Sequence, residues 1–584
     1  LSIFEGILTG FQVALSLKGL SFVFIGVVTG TIIGMIPGLG PITAIAVMIP
    51  ITYGMDPALA LLLMAGVYYG SAYGGAASSI LLNAPGESMA VPTTFDGYPL
   101  AKQGKAGKAL AIAALASFTG GTISVILLTL FAPFLAKVAI SFGPAEYFAL
   151  MLMGLMTVAS FSSGSTIKAL ISATVGFIIA TIGIDSQTGT ARFTFGNINL
   201  MEGIDFLVIA LGLFALAEVT SLIRERKERS MFDSEFGSMK LSKAEVKELS
   251  VPVTRQSLLG FIIGVLPGAG GTIASFLGYI TEKKLSKKPE EFGKGSIVGL
   301  AAPESANNSA SSGAFVPLLS LGIPGSGTTA VMLGALIVLG VQPGPLMISD
   351  HPDIFWGVIA SMYIGNVILL ILNLPLIPYI SKLLKVPKPM LISLVIMFCI
   401  IGVYGISFRT FDLFLLVIFG IIGYFMARMN FPAAPMLLAF ILGGMMERSL
   451  RQALTISDGS LLIFVQKPIS ATLLAIAFLS FIVPLLKTWR KRSLMEMQKK
   501  RIVRHHKSGT LWGSRSSFSF SYGKLGIWKV RILSGKGGES PGELFGRKGM
   551  EESAKDGEGE ILNRHWHLDG GRGVFRFIRI ARLY

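Results

Sequence analysis

The chain has 584 residues, 52% of them hydrophobic and only 14% charged, whereas a soluble protein of this length carries about a quarter charged residues. That balance excludes a large soluble protein, and the single cysteine, Cys399, excludes intrachain disulfides and cysteine-based metal sites. The formal charge of +17 does not indicate nucleic acid: 22 Lys+Arg and 9 Asp+Glu fall from Leu485 onward, a net +13, which leaves +4 for the rest.

Long apolar runs separated by short charged or Gly/Pro-rich breaks predict an all-α, polytopic membrane helix bundle. A helix needs about 20 apolar residues to cross a bilayer core, and the runs suggest roughly ten or more spans by that measure. The first repeat covers residues 1–222. Residues 34–40 read Gly-Met-Ile-Pro-Gly-Leu-Gly, residues 80–88 read Ile-Leu-Leu-Asn-Ala-Pro-Gly-Glu-Ser, and Ala116-Ser117 is followed by Gly121. A charged linker occupies residues 223–256. In the second repeat, residues 257–490, the same three signatures return in order. They are Gly-Val-Leu-Pro-Gly-Ala-Gly at 264–270, Leu-Ser-Leu-Gly-Ile-Pro-Gly-Ser-Gly at 319–327, and Ala360-Ser361 followed by Gly365. The offset drifts from 230 to 239 to 244, as small insertions produce.

Loop charges give the relation between the halves. Lys102, Lys105 and Lys108 follow the second motif of the first half, whereas the equivalent stretch 341–353 has no Lys or Arg. Conversely, Lys283, Lys284, Lys287 and Lys288 stand where 54–57 is bland, and Lys382, Lys385 and Lys388 where 141–146 is bland. Opposite charge at equivalent loops implies opposite orientation in the membrane, hence an inverted-topology repeat. The linker and the loops at Lys105 and Lys284 are then cytoplasmic, and 185–205 and 447–467 face the other side. Keeping the linker and the Lys284 loop on one side requires the chain to enter and return. Pro37, Gly38 and Gly40, with Pro267, Gly268 and Gly270, are the expected tips of re-entrant hairpins. Two ordinary spans with a mid-membrane kink are the alternative.

Broken helices offer free N–H groups and a positive dipole end to an anion. Asn83, Pro85, Gly86, Glu87 and Ser88 in the first break, with Gly325, Ser326, Gly327 and Thr328 in the second, are the candidate substrate-binding residues. Glu304, Asn307, Asn308 and Ser309, within a polar run that continues to Ser311 and Ser312, are candidates for the coupling cation or its surroundings. Ionisable groups at membrane depth are functional by default, while single serines in such a run pack helices more often than they bind ligands. Asp185, Arg192, Glu202, Asp205, Arg409, Asp412, Arg428, Glu447 and Arg448 fall near span ends and read as interfacial charge; Tyr69 and Tyr73 line the path or pack. His351 is the one histidine before the tail, so no metal site is expected. No nucleophile–base pair suits a membrane-embedded enzyme, and no phosphate-loop motif suits ATP hydrolysis. After about residue 490 the chain turns basic and Gly/Ser-rich, and residues 491–584 read as a disordered tail.

Several of these stretches resemble the large membrane subunit of bacterial tripartite tricarboxylate transporters. They are 34–40, 68–75 (Tyr-Tyr-Gly-Ser-Ala-Tyr-Gly-Gly), 81–88, 96–99 (Asp-Gly-Tyr-Pro), 192–196 (Arg-Phe-Thr-Phe-Gly), 267–271, 302–308 (Ala-Pro-Glu-Ser-Ala-Asn-Asn), 322–327 and 431–435 (Phe-Pro-Ala-Ala-Pro). The resemblance covers about residues 1–490 and does not extend to the tail. It implies symport of small carboxylates across the bacterial inner membrane, with no cofactor and with Na⁺ or H⁺ as coupling ion. It also implies two protein partners, a small membrane subunit and a periplasmic solute-binding protein. Citrate, other tricarboxylates, dicarboxylates and aromatic acids would all suit such a site. A stand-alone carrier or channel would show the same repeat.

Overall fold

The computed structural model describes residues 2–36, 39–161, 165–185, 187–224, 237–268, 270–377, 388–480, 482, 516–522 and 528–534. Helix α1 (Ile3–Ala14) starts on a capping box in which Ser2 and Glu5 satisfy each other's backbone N–H. It leads into α2 (Leu17–Met35), which stops two residues before Pro37. Proline has no N–H to continue the ladder. Helix α3 (Pro41–Met48) follows, then the long α4 (Pro57–Leu82), whose first N–H groups are capped by Asp56.

The glycines of α2 fix how these helices lie. A Cβ on Gly26, Gly30 or Gly34 would strike the backbone of Leu63, Val67 or Ser71 of α4 respectively. Both sets of numbers rise together, so α2 and α4 are parallel and in backbone contact. Two parallel neighbours need a returning segment between them, and α3 supplies it. The reversal sits level with Ser71 and Gly74, within α4 rather than at its end.

The first half continues through α5 (Val91–Leu100), α6 (Ala106–Ala139), α7 (Pro144–Phe161) and α8 (Thr166–Ala180). A two-residue hairpin, β1 (Gly183–Ile184) with β2 (Ala191–Arg192), then precedes α9 (Phe206–Ala210) and α10 (Ala217–Arg224).

The second half repeats the opening. Helix α11 (Lys243–Val265) and α13 (Ile297–Gly313) are parallel, Gly260 and Gly264 lying against Ala306 and Ala310. Helix α12 (Gly270–Leu285) returns between them, with Gly271 beside Asn307 and Gly278 beside Ala302. In both halves, therefore, a helix pair reverses direction across a Pro/Gly turn. Helices α14 (Phe315–Leu321), α15 (Gly327–Val338), α16 (Met347–Asp350) and α17 (Pro352–Asn373) follow. Beyond them come α18 (Lys388–Ser407), α19 (Thr410–Arg428), α20 (Ala433–Ile456), α21 (Ile463–Gln466) and α22 (Pro468–Ser480).

The two halves interlock. Helix α6 packs on α13, with Gly120 against Ser305 and the Ser124 hydroxyl donating to the Ser309 carbonyl. In the reciprocal contact α4 packs on α17, through Tyr69–Ser361 (3.3 Å) and Tyr73–Asn366 (2.8 Å). The equivalent helices α6 and α17 touch and run antiparallel: Asn366 reaches the Phe118 carbonyl and Thr122, while Tyr363 reaches Thr129.

Among the described residues seven helices are long and apolar enough to cross a membrane, and the chain is a multi-pass membrane protein. That is fewer than the apolar runs suggested, because several runs are divided by Pro and Gly into shorter helices. Residues Leu1–Leu486 form one compact unit and Lys487–Tyr584 another. In the latter, β3 (Ser516–Tyr522) and β4 (Trp528–Ser534) pair antiparallel, where no regular element was expected.

Candidate functional site

Both predicted breaks are present, and their backbones match. Helix α4 ends on Asn83, left-handed at φ 53°, and α14 ends on Gly322 at φ 69°, at equivalent positions. Four residues further on, Glu87 (φ −148°, ψ 166°) and Ser326 (φ −152°, ψ 170°) are the extended residues from which the next helical segments start. Ser326 caps α15 reciprocally with Thr329, accepting its N–H at 3.2 Å. Glu87 makes no such cap.

Gly86 and Gly325 let the hairpins approach the breaks closely. A Cβ on Gly86 would strike the Gly34 carbonyl oxygen, and one on Gly325 would lie 2.8 Å from the Ala314 Cα and 2.9 Å from the Gly264 oxygen. The Gly268 N–H also donates to the Gly325 carbonyl at 2.9 Å. Gly268 (φ 81°) and Gly270 (φ 60°) are left-handed in the turn of the second hairpin, a conformation glycine adopts freely. Pro267 is in that turn too; Pro37 and Gly38 lie outside the described residues.

The breaks and the hairpin tips converge in reciprocal fashion. Within the halves, a Cβ on Gly40 would stand 3.6 Å from the Glu87 Cβ, and one on Gly270 would stand 3.8 Å from the Ser326 Cβ. Between them, the Ser88 hydroxyl is 2.8 Å from that of Thr272 in α12, and Gly327 faces Ile42 of α3. Tyr68 of α4 completes the closure, its hydroxyl 3.4 Å from that of Ser326. The four elements thus form one cluster whose polar groups are Glu87, Ser88, Thr272, Tyr68, Ser326 and Thr328. Asn83 and Ser88 are exposed, Pro85, Glu87, Ser326 and Gly327 half-buried, Gly86, Gly325 and Thr328 buried, so the cluster opens to solvent on the Asn83 side. Asn83 itself serves as the left-handed end of α4.

Glu304, fully buried, has a separate polar environment. Thr93 donates to its Oε1, and the Ser117 hydroxyl donates to its Oε2 at 3.0 Å. Asn308 supports this from α13, donating to Ser117 (2.8 Å), to the Glu304 carbonyl (3.0 Å) and to Asn307 Oδ1 (2.7 Å). No Lys, Arg or His forms an ion pair with Glu304 among the described residues. Ser309 does not join the cluster: its hydroxyl donates to the Ser257 carbonyl of α11 at 2.5 Å. Ser311 and Ser312 bond back to the carbonyls of Asn307 and Asn308. Ser309 thus ties α13 to α11, while Ser311 and Ser312 bond within α13 itself. Thr93, Ser117, Tyr68 and Thr272 were not singled out from the sequence, because a hydroxyl within an apolar helix carries no signal of which neighbour it faces.

The interfacial charges satisfy one another. Arg451 holds Asp185 at 2.8 Å and Glu447 at 2.5 Å, Arg192 reaches Glu447 at 2.7 Å, and Arg409 bridges Glu202 and Asp412. The Gln187 N–H and then Arg451 hold the Asp185 carboxyl far below its ordinary range. Among the described residues no group of three or more His, Cys, Asp or Glu gathers to hold a metal.

A polytopic bundle with paired helix breaks, hairpins closing on them, and isolated carboxyls in its interior is an architecture of membrane transporters. Residues 20–438 match the tripartite tricarboxylate transporter TctA family, and the chain belongs to that family of transporter subunits. It is 45% identical over 483 residues to an uncharacterized 52.8 kDa protein in the TAR-I ttuC' 3' region of Agrobacterium vitis, covering 83% of this chain and 96% of that one. It is 47% identical over 233 residues to an uncharacterized protein in the TAR-II ttuC' 3' region of the same organism, covering 40% of this chain and 96% of that one. No solved structure matches.

Proposed function

We propose that the chain is the large membrane subunit of a secondary carrier that imports small carboxylates, tricarboxylates among them, across the bacterial inner membrane. The observation that carries this reading is the meeting of each helix break with the hairpin of the other half, through Ser88–Thr272 and Gly327–Ile42. It gathers polar groups of both halves into one cluster, which we read as a substrate crevice in an otherwise apolar bundle. In this reading the substrate carboxylates are held by Ser88, Ser326 and Thr328 and by the backbone N–H groups that start the following helices. The Glu304 pocket, with Asn307 and Asn308, serves the coupling cation, Na⁺ or H⁺. An inverted relation of the halves is supported by the antiparallel course of α6 and α17, and it would let the crevice open alternately to either side. The family supports a small membrane subunit and a periplasmic solute-binding protein as partners.

The test is reconstitution of the chain with and without both partners, under imposed Na⁺ and pH gradients, with citrate, succinate and benzoate as substrates. Uptake is expected only when both partners and one cation gradient are present. Full-rate uptake by this chain alone would make it a stand-alone carrier; uptake with no gradient would make it a channel.

A further inference from the structure

The crevice is symmetric in backbone and asymmetric in charge. Glu87 occupies the position that Ser326 occupies in the other half, in the same extended conformation and four residues after a left-handed helix end. Ser326 is a neutral hydroxyl already engaged with Thr329 and Tyr68. Glu87 has no such engagement. Its Oε1 is sealed from solvent and accepts no hydrogen bond, and it makes no ion pair among the described residues. A Cβ on Gly75 would stand 3.7 Å from the Glu87 Oε1 and 3.7 Å from the Ala90 methyl, and one on Gly40 would stand 3.6 Å from the Glu87 Cβ. The titratable groups that face it are Tyr68 on α4 and Glu304 on α13. The hairpin tip, α12 and α15 bring only Gly40, Thr272 and Ser326.

We infer that Glu87 binds a proton within the crevice itself, apart from the Glu304 pocket, and admits a carboxylate only in its protonated form. This rests on the crevice being the substrate site. An ionised carboxyl here leaves Oε1 without water or a partner to replace it, and it faces the ligand's own negative charge. Two like charges about 6 Å apart at an effective dielectric of about 20 weaken binding roughly a hundredfold. Protonation removes that penalty and makes the first break as neutral as the second, so a multiply charged carboxylate can span both helix starts. One proton therefore enters with the anion on one side and leaves with it on the other.

The experiment uses the full chain in lipid nanodiscs, with citrate, succinate and benzoate as probes between pH 6 and pH 8, in Na⁺ and in choline buffers. In the wild type, affinity for at least one probe is expected to fall steeply as pH rises, equally in both buffers. Glu87→Gln, fixed in the neutral form, should bind at pH 8 as the wild type does at pH 6, and should exchange substrate without accumulating it under a pH gradient. Infrared spectra of the empty protein should show a protonated-carboxyl band between pH 6 and pH 8 that Glu87→Gln removes and Glu304→Gln leaves. An unchanged pH slope in Glu87→Gln, or a slope present only in Na⁺, overturns the inference. So does absence of the Glu87-dependent band, which decides the matter even if no probe binds. Ser326→Ala separates the two readings: it should weaken binding by the same factor at every pH. If neither variant alters binding, the crevice is not the substrate site.

Discussion

The first helix break, 83–88, and the second, 322–327, share a backbone and differ in chemistry. Each ends a helix in the left-handed region, passes a Pro-Gly pair packed against a hairpin carbonyl, and starts a new helical segment from an extended residue. At the residue that starts it, one half carries a carboxyl and the other a self-capped serine. The backbone recurs because the packing problem recurs. A hairpin must press its tip into a broken helix, and only glycine permits backbone to touch backbone there. The side chain at the start of the next segment is free of that requirement, so the halves can diverge in charge there.

The comparison is broken most decisively by topology. In a Cys399→Ala background, single cysteines at Gly54 and Gln103 should react with impermeant reagents from opposite sides. Pro289 and Gln342 should also oppose each other, with Pro289 on the side of Gln103. The effect is all-or-none, and labelling of Gly54 and Pro289 from one side would remove the inverted relation altogether.

Next in size are the glycines. Gly86→Val should abolish uptake and reduce the yield of folded, monodisperse protein, because its branched side chain meets the Gly34 carbonyl. Overpacking of this kind costs about 1–3 kcal/mol and more where backbone must move. Gly325→Val meets its neighbours less closely, at 2.8 and 2.9 Å, and should leave more folded protein while still losing most uptake. Equal thermal stability of both variants and the wild type would show that the hairpins do not press on the breaks.

Serine variants sharpen the comparison by several-fold rather than absolute effects. Ser326→Ala removes a cap, a change of about 0.5–2 kcal/mol, and also releases Tyr68. Ser88→Ala loses only the bond to Thr272 and should raise the apparent KM less. The order reverses if substrate is held chiefly at the first break.

How much of this was legible follows from what each residue type reveals. Pro and Gly announce broken helices whatever surrounds them, so the breaks and the reversal at 267–270 could be read directly. The Glu304 site was half legible: a carboxyl at depth is conspicuous, whereas its partners Thr93 and Ser117 lie on other helices and look like packing residues. The partner of Ser309 was hidden for the same reason, since a serine near Glu304 in sequence bonds to the Ser257 carbonyl of α11 in space. The tail's strands were present as an alternation, Ser-Phe-Ser-Phe-Ser-Tyr at 517–522, hidden by the basic, glycine-rich composition around it.

The smallest prediction concerns how each half anchors its entering helix. Glu245, in the capping box of α11, pairs with Lys108 at the start of α6 at 2.8 Å. By the repeat offsets the equivalent positions in the other half are Leu15 and Pro352, so no such pair exists there. The Lys108 ammonium, and then Ser242, hold the Glu245 carboxyl down to about 2, against an ordinary 4.5. A carboxyl lowered on folding stabilises the protein fully above its ordinary value and loses that contribution as pH falls toward the lowered one. The wild type should therefore lose thermal stability between about pH 4.5 and pH 2 more steeply than Glu245→Gln. At neutral pH the two should differ by no more than about 1 kcal/mol, as for a partly exposed pair. Hydrogen exchange gives the sharper readout: on acidification α11 should gain exchange at its first turns while α2 does not, and equal behaviour of the two helices would show that the ion pair anchors neither.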